Sequence, residues 1–235
     1  MTRTAIPGYF GKLAGAGDFV QRRLPPAFLD GWDRAFSRAL AESRDRLGAH
    51  WQPAYLAAPV WRFLLAPGVC GAAAWAGAVG PAADRVGRCF PMVVAAPLAT
   101  GIGAPAVLHD GERWYDAVER TLRAALGDRA LDAEAFDARV AALALPPEPD
   151  EPTLPARPPG LDRARRDYWL PLPAGAVLPL HAAWHHLAGD GCGLWWRRAA
   201  GGADGRLLVA CGLPTTALYL DFLAAPAAPA RGVPA

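Results

Sequence analysis

The sequence predicts an α+β fold: a mixed or antiparallel five-stranded sheet with helices packed on its faces, plus a C-terminal α/β extension. Three observations carry this. Short apolar runs bounded by Pro and Gly read as buried strands. Longer stretches repeat apolar residues at helical spacing. The order of these elements is strand, strand, helix, three strands, helix, helix.

The first strands are Tyr9–Leu13 and Asp18–Arg22, joined as a hairpin through the Gly-rich turn at 14–17. Pro25-Pro26 opens a helix whose stripe is Phe28, Trp32, Phe36, Ala39, Leu40, Ser43 and Leu47, with Gly48 as its stop. Trp51–Tyr55 reads as a short helical turn or loop. Val60–Leu65, Ala73–Val79 and Phe90–Leu98 are the three buried strands, bounded by Pro59, Pro67-Gly68, Gly80-Pro81, Pro91 and Pro97. Glu112–Leu126 and Leu131–Leu145 follow as helices, with Trp114, Val118, Leu122 and Ala125, then Phe136, Val140 and Leu143, facing inward and Asp132 as a cap. This layout resembles a longin-like or profilin-like layer.

Composition changes sharply near residue 145. The chain divides into an α+β domain at 1–145, a Pro-rich linker at 146–167, an extension at 168–223 docked on the same sheet, and a disordered tail at 224–235. The extension is too short to build a strong core alone. It is expected to add two strands and a terminal helix, with Trp195-Trp196-Arg197-Arg198 on an amphipathic edge strand.

With 235 residues, 53% of them hydrophobic, and nine tryptophans, the chain is long and apolar enough for a packed globule. Its net charge of +2 argues against nucleic acid as a partner. No secretory signal opens it and no apolar run would span a bilayer. Cys70, Cys89, Cys192 and Cys211 have no paired spacing and read as reduced thiols, so a cytoplasmic protein without membrane insertion is expected.

Catalytic motifs are poorly represented. Gly8-Tyr-Phe-Gly-Lys12 lacks the early Gly and the Ser or Thr of a phosphate loop. Gly15-Ala-Gly17 has Val20 where a dinucleotide fingerprint needs a third small residue. The two serines, Ser37 and Ser43, lie inside the first helix, and Lys12 is the sole lysine. His181 and His185 share a helical face, with His186 beside them, but have no matching Glu or Cys set. No metal, cofactor or catalytic residue is assigned. The charges embedded among apolar strands are Asp18, Arg62, Asp84, Arg85 and Arg88. They form either a recognition patch, a carboxylate pair for catalysis, or internal ion pairs bracing the sheet and its turns. Trp61, Phe63 and Trp75 read as core.

Several words of this sequence resemble the TagF (ImpM) family, associated with bacterial type VI secretion. They are Gly8-Tyr-Phe-Gly-Lys-Leu13, Gly17-Asp-Phe-Val20, Leu24-Pro-Pro-Ala-Phe28, Pro59-Val-Trp-Arg-Phe63, Trp75-Ala-Gly77 and Asp84-Arg-Val-Gly-Arg-Cys-Phe-Pro91. The match is specific over 6–98 and weaker to about residue 145. Pro81-Ala82-Ala83 departs from the family's usual Pro-Ser-Val. The resemblance implies a non-enzymatic cytoplasmic repressor that acts after translation, binding the forkhead-associated scaffold protein of the secretion apparatus. Arg62, Asp84, Arg85 and Arg88 are the candidate protein-binding residues. The competing readings are an enzyme, hydrolytic if anything, and a structural component of the apparatus.

Overall fold

The computed structural model describes residues 6–98, 111–143, 167–172, 191–198 and 205–224. Its strands are β1 (Gly8–Gly11), β2 (Val20–Arg22), β3 (Trp61–Leu65), β4 (Ala74–Gly80), β5 (Met92–Leu98), β6 (Tyr168–Leu172), β7 (Cys192–Arg197) and β8 (Gly205–Cys211). The α-helices are α1 (Pro26–Leu47), α2 (Trp51–Ala57), α3 (Glu112–Gly127), α4 (Ala133–Ala141) and α5 (Thr216–Leu223), with a 3-10 turn Gly48–His50 between α1 and α2.

All eight strands form one antiparallel sheet in the order β2-β1-β5-β4-β3-β7-β8-β6. The α+β class holds, but the count of five strands does not. The reason lies at β3, where all five residues are buried. A buried strand with an open edge would leave amide and carbonyl groups without partners or water. β7 fills that edge, pairing Arg62 with Trp196 and Phe63 with Trp195. The Trp195-Trp196 run is therefore interior, flanked by β3 and β8, rather than the expected amphipathic edge. Its two indoles are buried on opposite faces.

Period-2 alternation sorts the sheet into two cores. Tyr9, Leu64, Ala78, Val94 and Trp196 face α3 and α4, meeting Tyr115, Val118, Leu122 and Phe136. Trp61, Phe63, Trp75, Val93 and Trp195 face the other way, against Phe28, Trp32 and Phe36 of α1, Tyr55 of α2 and Phe222 of α5. With both faces covered, strands read as continuous apolar runs, which is why they were legible in sequence. Trp61, Phe63 and Trp75 are core, as read.

The α1 stripe is buried as expected, except that Leu47 is only partly so. Pro26 sits at the start, where its missing N–H costs nothing, and Gly48 ends the helix at φ 53°. Asp132 caps α4 by accepting the Ala135 amide at 2.8 Å. The linker and tail assigned to 146–167 and 224–235 fall, apart from their inner end residues, outside the described residues, as do His181, His185 and His186.

Gly77 shows how tightly β4 is held. A Cβ there would lie 2.3 Å from the Val94 carbonyl oxygen and 2.5 Å from Cζ of Phe63. The Phe63 ring occupies the space a side chain would need. Gly77→Ala is expected to destabilise the protein by about 1–3 kcal/mol, read from urea unfolding.

Candidate functional site

The five charged residues picked out by sequence fall into two groups. Arg62 stands alone in the sheet. Asp18, Asp84, Arg85 and Arg88 come together where the β1–β2 and β4–β5 connections meet.

Arg62 points from β3 into the α3-facing core with its side chain fully buried. Such a charge requires partners. α3 supplies them from one face, at spacings of four and three residues. The Arg62 guanidinium donates from Nη1 to Glu112 at 3.0 Å, from Nη2 to Asp116 at 2.6 Å and from Nε to Glu119 at 2.6 Å. Arg198 adds a second cation, 2.9 Å from Asp116 and 3.2 Å from Glu112. Burial opposes ionisation of Asp116, yet hydrogen bonding and charge from Arg62 and Arg198 hold its carboxyl below the usual range. Arg62 therefore clamps α3 to the sheet and is out of direct reach of any partner.

Asp84 organises the other group. Its buried carboxylate accepts the Arg88 guanidinium at 2.7 Å, the Arg88 amide at 2.9 Å and the Val86 amide at 3.1 Å. Lys12 lies 3.3 Å away on the remaining side. Gly87, at φ 86°, takes the left-handed conformation that closes the turn, and its amide donates to the Asp84 carbonyl at 2.9 Å. The loop base is held from α2. The Tyr55 hydroxyl donates to the Ala82 carbonyl at 2.8 Å and accepts the Ala82 amide at 2.9 Å. The family departure at Ala82 thus falls where the backbone, not the side chain, makes the contact.

The two connections are stitched together. The Arg85 amide donates to the Ala16 carbonyl at 2.9 Å, and the Arg88 guanidinium donates to the Gly17 carbonyl. Lys12 bridges them as well, 3.3 Å from Asp18 and 4.0 Å above the Phe19 ring. Phe19 stacks on Phe10 at 5.3 Å and meets Phe90 edge-on at 5.0 Å. The result is a rigid tip that exposes Arg85, Val86 and Arg88, with Val86 70% accessible. Arg85 makes no ion pair among the described residues.

Asp84, Arg85 and Arg88, expected from sequence as protein-binding residues, lie on one loop, and Lys12, Phe19 and Tyr55, absent from that expectation, hold it in place. The legible signal for Lys12 was its singularity in an arginine-rich chain. Tyr55 had none, since its partner is a backbone.

The chemistry of the cluster is that of fixed charges. Burial works against the Asp84 carboxylate, but the Arg88 amide and guanidinium, Lys12 and the Val86 amide outweigh it and lower its pKa from 3.8 to about 2. It stays ionised at neutral pH and is unsuited to give up a proton there. Asp18 is likewise held low, chiefly by the Phe19 amide and then by Lys12. Burial pushes the Cys70 thiol up to about 12, away from the thiolate form. No group of three or more metal-ligating side chains occurs among the described residues. No helix there is long and apolar enough to cross a membrane.

Two outcomes follow. Arg62→Ala leaves three carboxylates repelling one another and is expected to cost about 3–5 kcal/mol in urea unfolding. Because the pKa of Asp84 is lowered on folding, its stabilisation is present above pH 3.8 and lost as pH falls toward 2. The melting temperature should fall more steeply in that window for wild type than for Asp84→Asn, which is less stable at pH 7.

The family model for the TagF N-terminal domain, type VI secretion system-associated, matches residues 8–143. Comparison with curated proteins gives no match. Among solved structures, the crystal structure of PA0076 from Pseudomonas aeruginosa PAO1 is similar at a TM-score of 0.72 and 35% identity. The alignment covers 97% of this chain and 100% of that one. The family match thus takes in β1 through α4, including the loop built on Asp84 and the Arg62 clamp, and the chain belongs to the TagF family of type VI secretion system-associated proteins.

Proposed function

We propose that this protein is a non-enzymatic, cytoplasmic repressor of type VI secretion, acting after translation by binding the forkhead-associated scaffold protein of the apparatus. The observation that carries the reading is the tip at 85–88. Two arginines flank an exposed valine on a loop held from below by Asp84, which accepts the Val86 and Arg88 amides and the Arg88 guanidinium. A rigid surface of arginine and apolar carbon suits protein recognition, because little conformational entropy is lost on docking. The Asp84 carboxylate is tuned away from acid catalysis and the Cys70 thiol away from nucleophilic work, which favours recognition over hydrolysis. In this reading Arg85 and Arg88 touch the partner, while Asp84 and Arg62 hold the surface in shape. β6–β8 with α5 act in one unit with the family-matched region, since they continue its sheet.

Calorimetric titration against the forkhead-associated scaffold of the same bacterium tests this directly. Saturable binding near one-to-one is expected, and Arg85→Glu should weaken it about tenfold or more with an unchanged melting temperature. No binding by two folded proteins would overturn scaffold capture. Loss of secretion on deleting the gene would favour a structural component instead.

A further inference from the structure

Beside the tip, between it and the end of α1, runs an open groove of about 720 Å³. Lys12, Arg44 and Arg88 contribute cations to it, against a single carboxylate, Asp18. Lys12 is already shared by Asp18 and Asp84, but Arg44 makes no ion pair among the described residues. Its guanidinium instead rests on the Trp51 ring, 4.4 Å from the centroid. That ring is itself fixed. The Trp51 indole N–H donates to the Ser43 hydroxyl at 2.8 Å, which donates to the Leu40 carbonyl at 3.0 Å. Arg44 is thus an exposed charge on a rigid aromatic seat, lining the same groove as Arg88. Phe19, also in the lining, is 44% exposed.

We propose that this groove seats an acidic segment of the partner protein, with carboxylates against Arg44 and Arg88 and an apolar side chain against Phe19. The proposal rests on the reading that this protein acts by binding another protein. Charge complementarity selects the occupant: Lys12, Arg44 and Arg88 stand against Asp18 and the buried Asp84, which leaves the Arg44 charge without an ion-pair partner among the described residues, in a lining that also holds the Phe19 and Trp51 rings. A nucleic-acid backbone fits less well. Asp18 stands exposed in the groove and the whole chain carries only +2.

The test uses the full chain and a double variant, Ala49→Glu with Gln52→Glu. Both residues are exposed on the groove wall, and neither side chain makes a hydrogen bond or ion pair among the described residues. Each protein is titrated with the scaffold and with a synthetic Glu- and Asp-rich peptide bearing one central Leu. A lysine-rich peptide and a thymidine oligonucleotide serve as controls. Scaffold and acidic peptide should compete, weaken with salt, and bind the variant about tenfold less tightly at an unchanged melting temperature. Scaffold binding that the variant retains in full would overturn the groove and leave the repressor reading standing. Peptide binding lost in the variant, without any scaffold binding, would support the groove and sink the scaffold reading. No binding of either overturns both. An oligonucleotide that displaces the peptide at equal affinity would overturn the assignment of a protein segment.

Discussion

A sheet covered by helices on both faces leaves no water for the charges that its strands carry. That constraint shapes this protein more than any other. Arg62 sits in the middle of a buried strand, and its three hydrogen-bonding groups each reach a carboxylate of α3. The register of α3 on the sheet follows from this, because Glu112, Asp116 and Glu119 reach one guanidinium only when that face of the helix is turned inward. The apolar stripe of the helix, including Tyr115, Val118 and Leu122, then meets the sheet beside the clamp. Hydrophobic burial drives the association, and the ion cluster fixes its rotation.

The same logic at the sheet's end creates the candidate site. Lys12 and Asp84 are both buried, and each is the other's neighbour. Asp84 has acceptor capacity left after Lys12 and uses it on the amides and guanidinium of its own loop. A connection between two strands, ordinarily among the more mobile parts of a fold, is thereby tied down at its base, its turn and its contact with the β1–β2 connection. What is left facing solvent is Arg85, Val86 and the outer part of Arg88. Structural satisfaction of the interior and presentation of a surface are two sides of one hydrogen-bond set.

Local signals were strong where one residue decides the backbone. Pro25-Pro26, Gly48 and Asp132 marked helix ends by missing donors, positive φ and a capping oxygen, and each acts in that way here. The stripe of α1 and the apolar runs of β3, β4 and β5 were legible because burial imposes a period on them. The Trp195-Trp196 pair misled for a physical reason. Two adjacent large aromatics followed by two arginines look amphipathic along the chain, but adjacent strand residues face opposite sides of a sheet. In a sheet covered on both sides, both indoles are buried.

The α+β class, most elements and the family were legible in the chain alone, since these depend on neighbours a few residues apart; that Asp84 pairs with Arg88 and not Arg85 was not. Tertiary structure added that the described residues build a sheet of eight strands, that Arg62 is a clamp rather than a contact, and that Lys12 joins two words 66 to 72 residues apart. Strand pairing and the compensation of buried charge are settled by what lies across space. No spacing along the chain encodes them, because the partners arrive from separate elements and meet only when water is excluded between them.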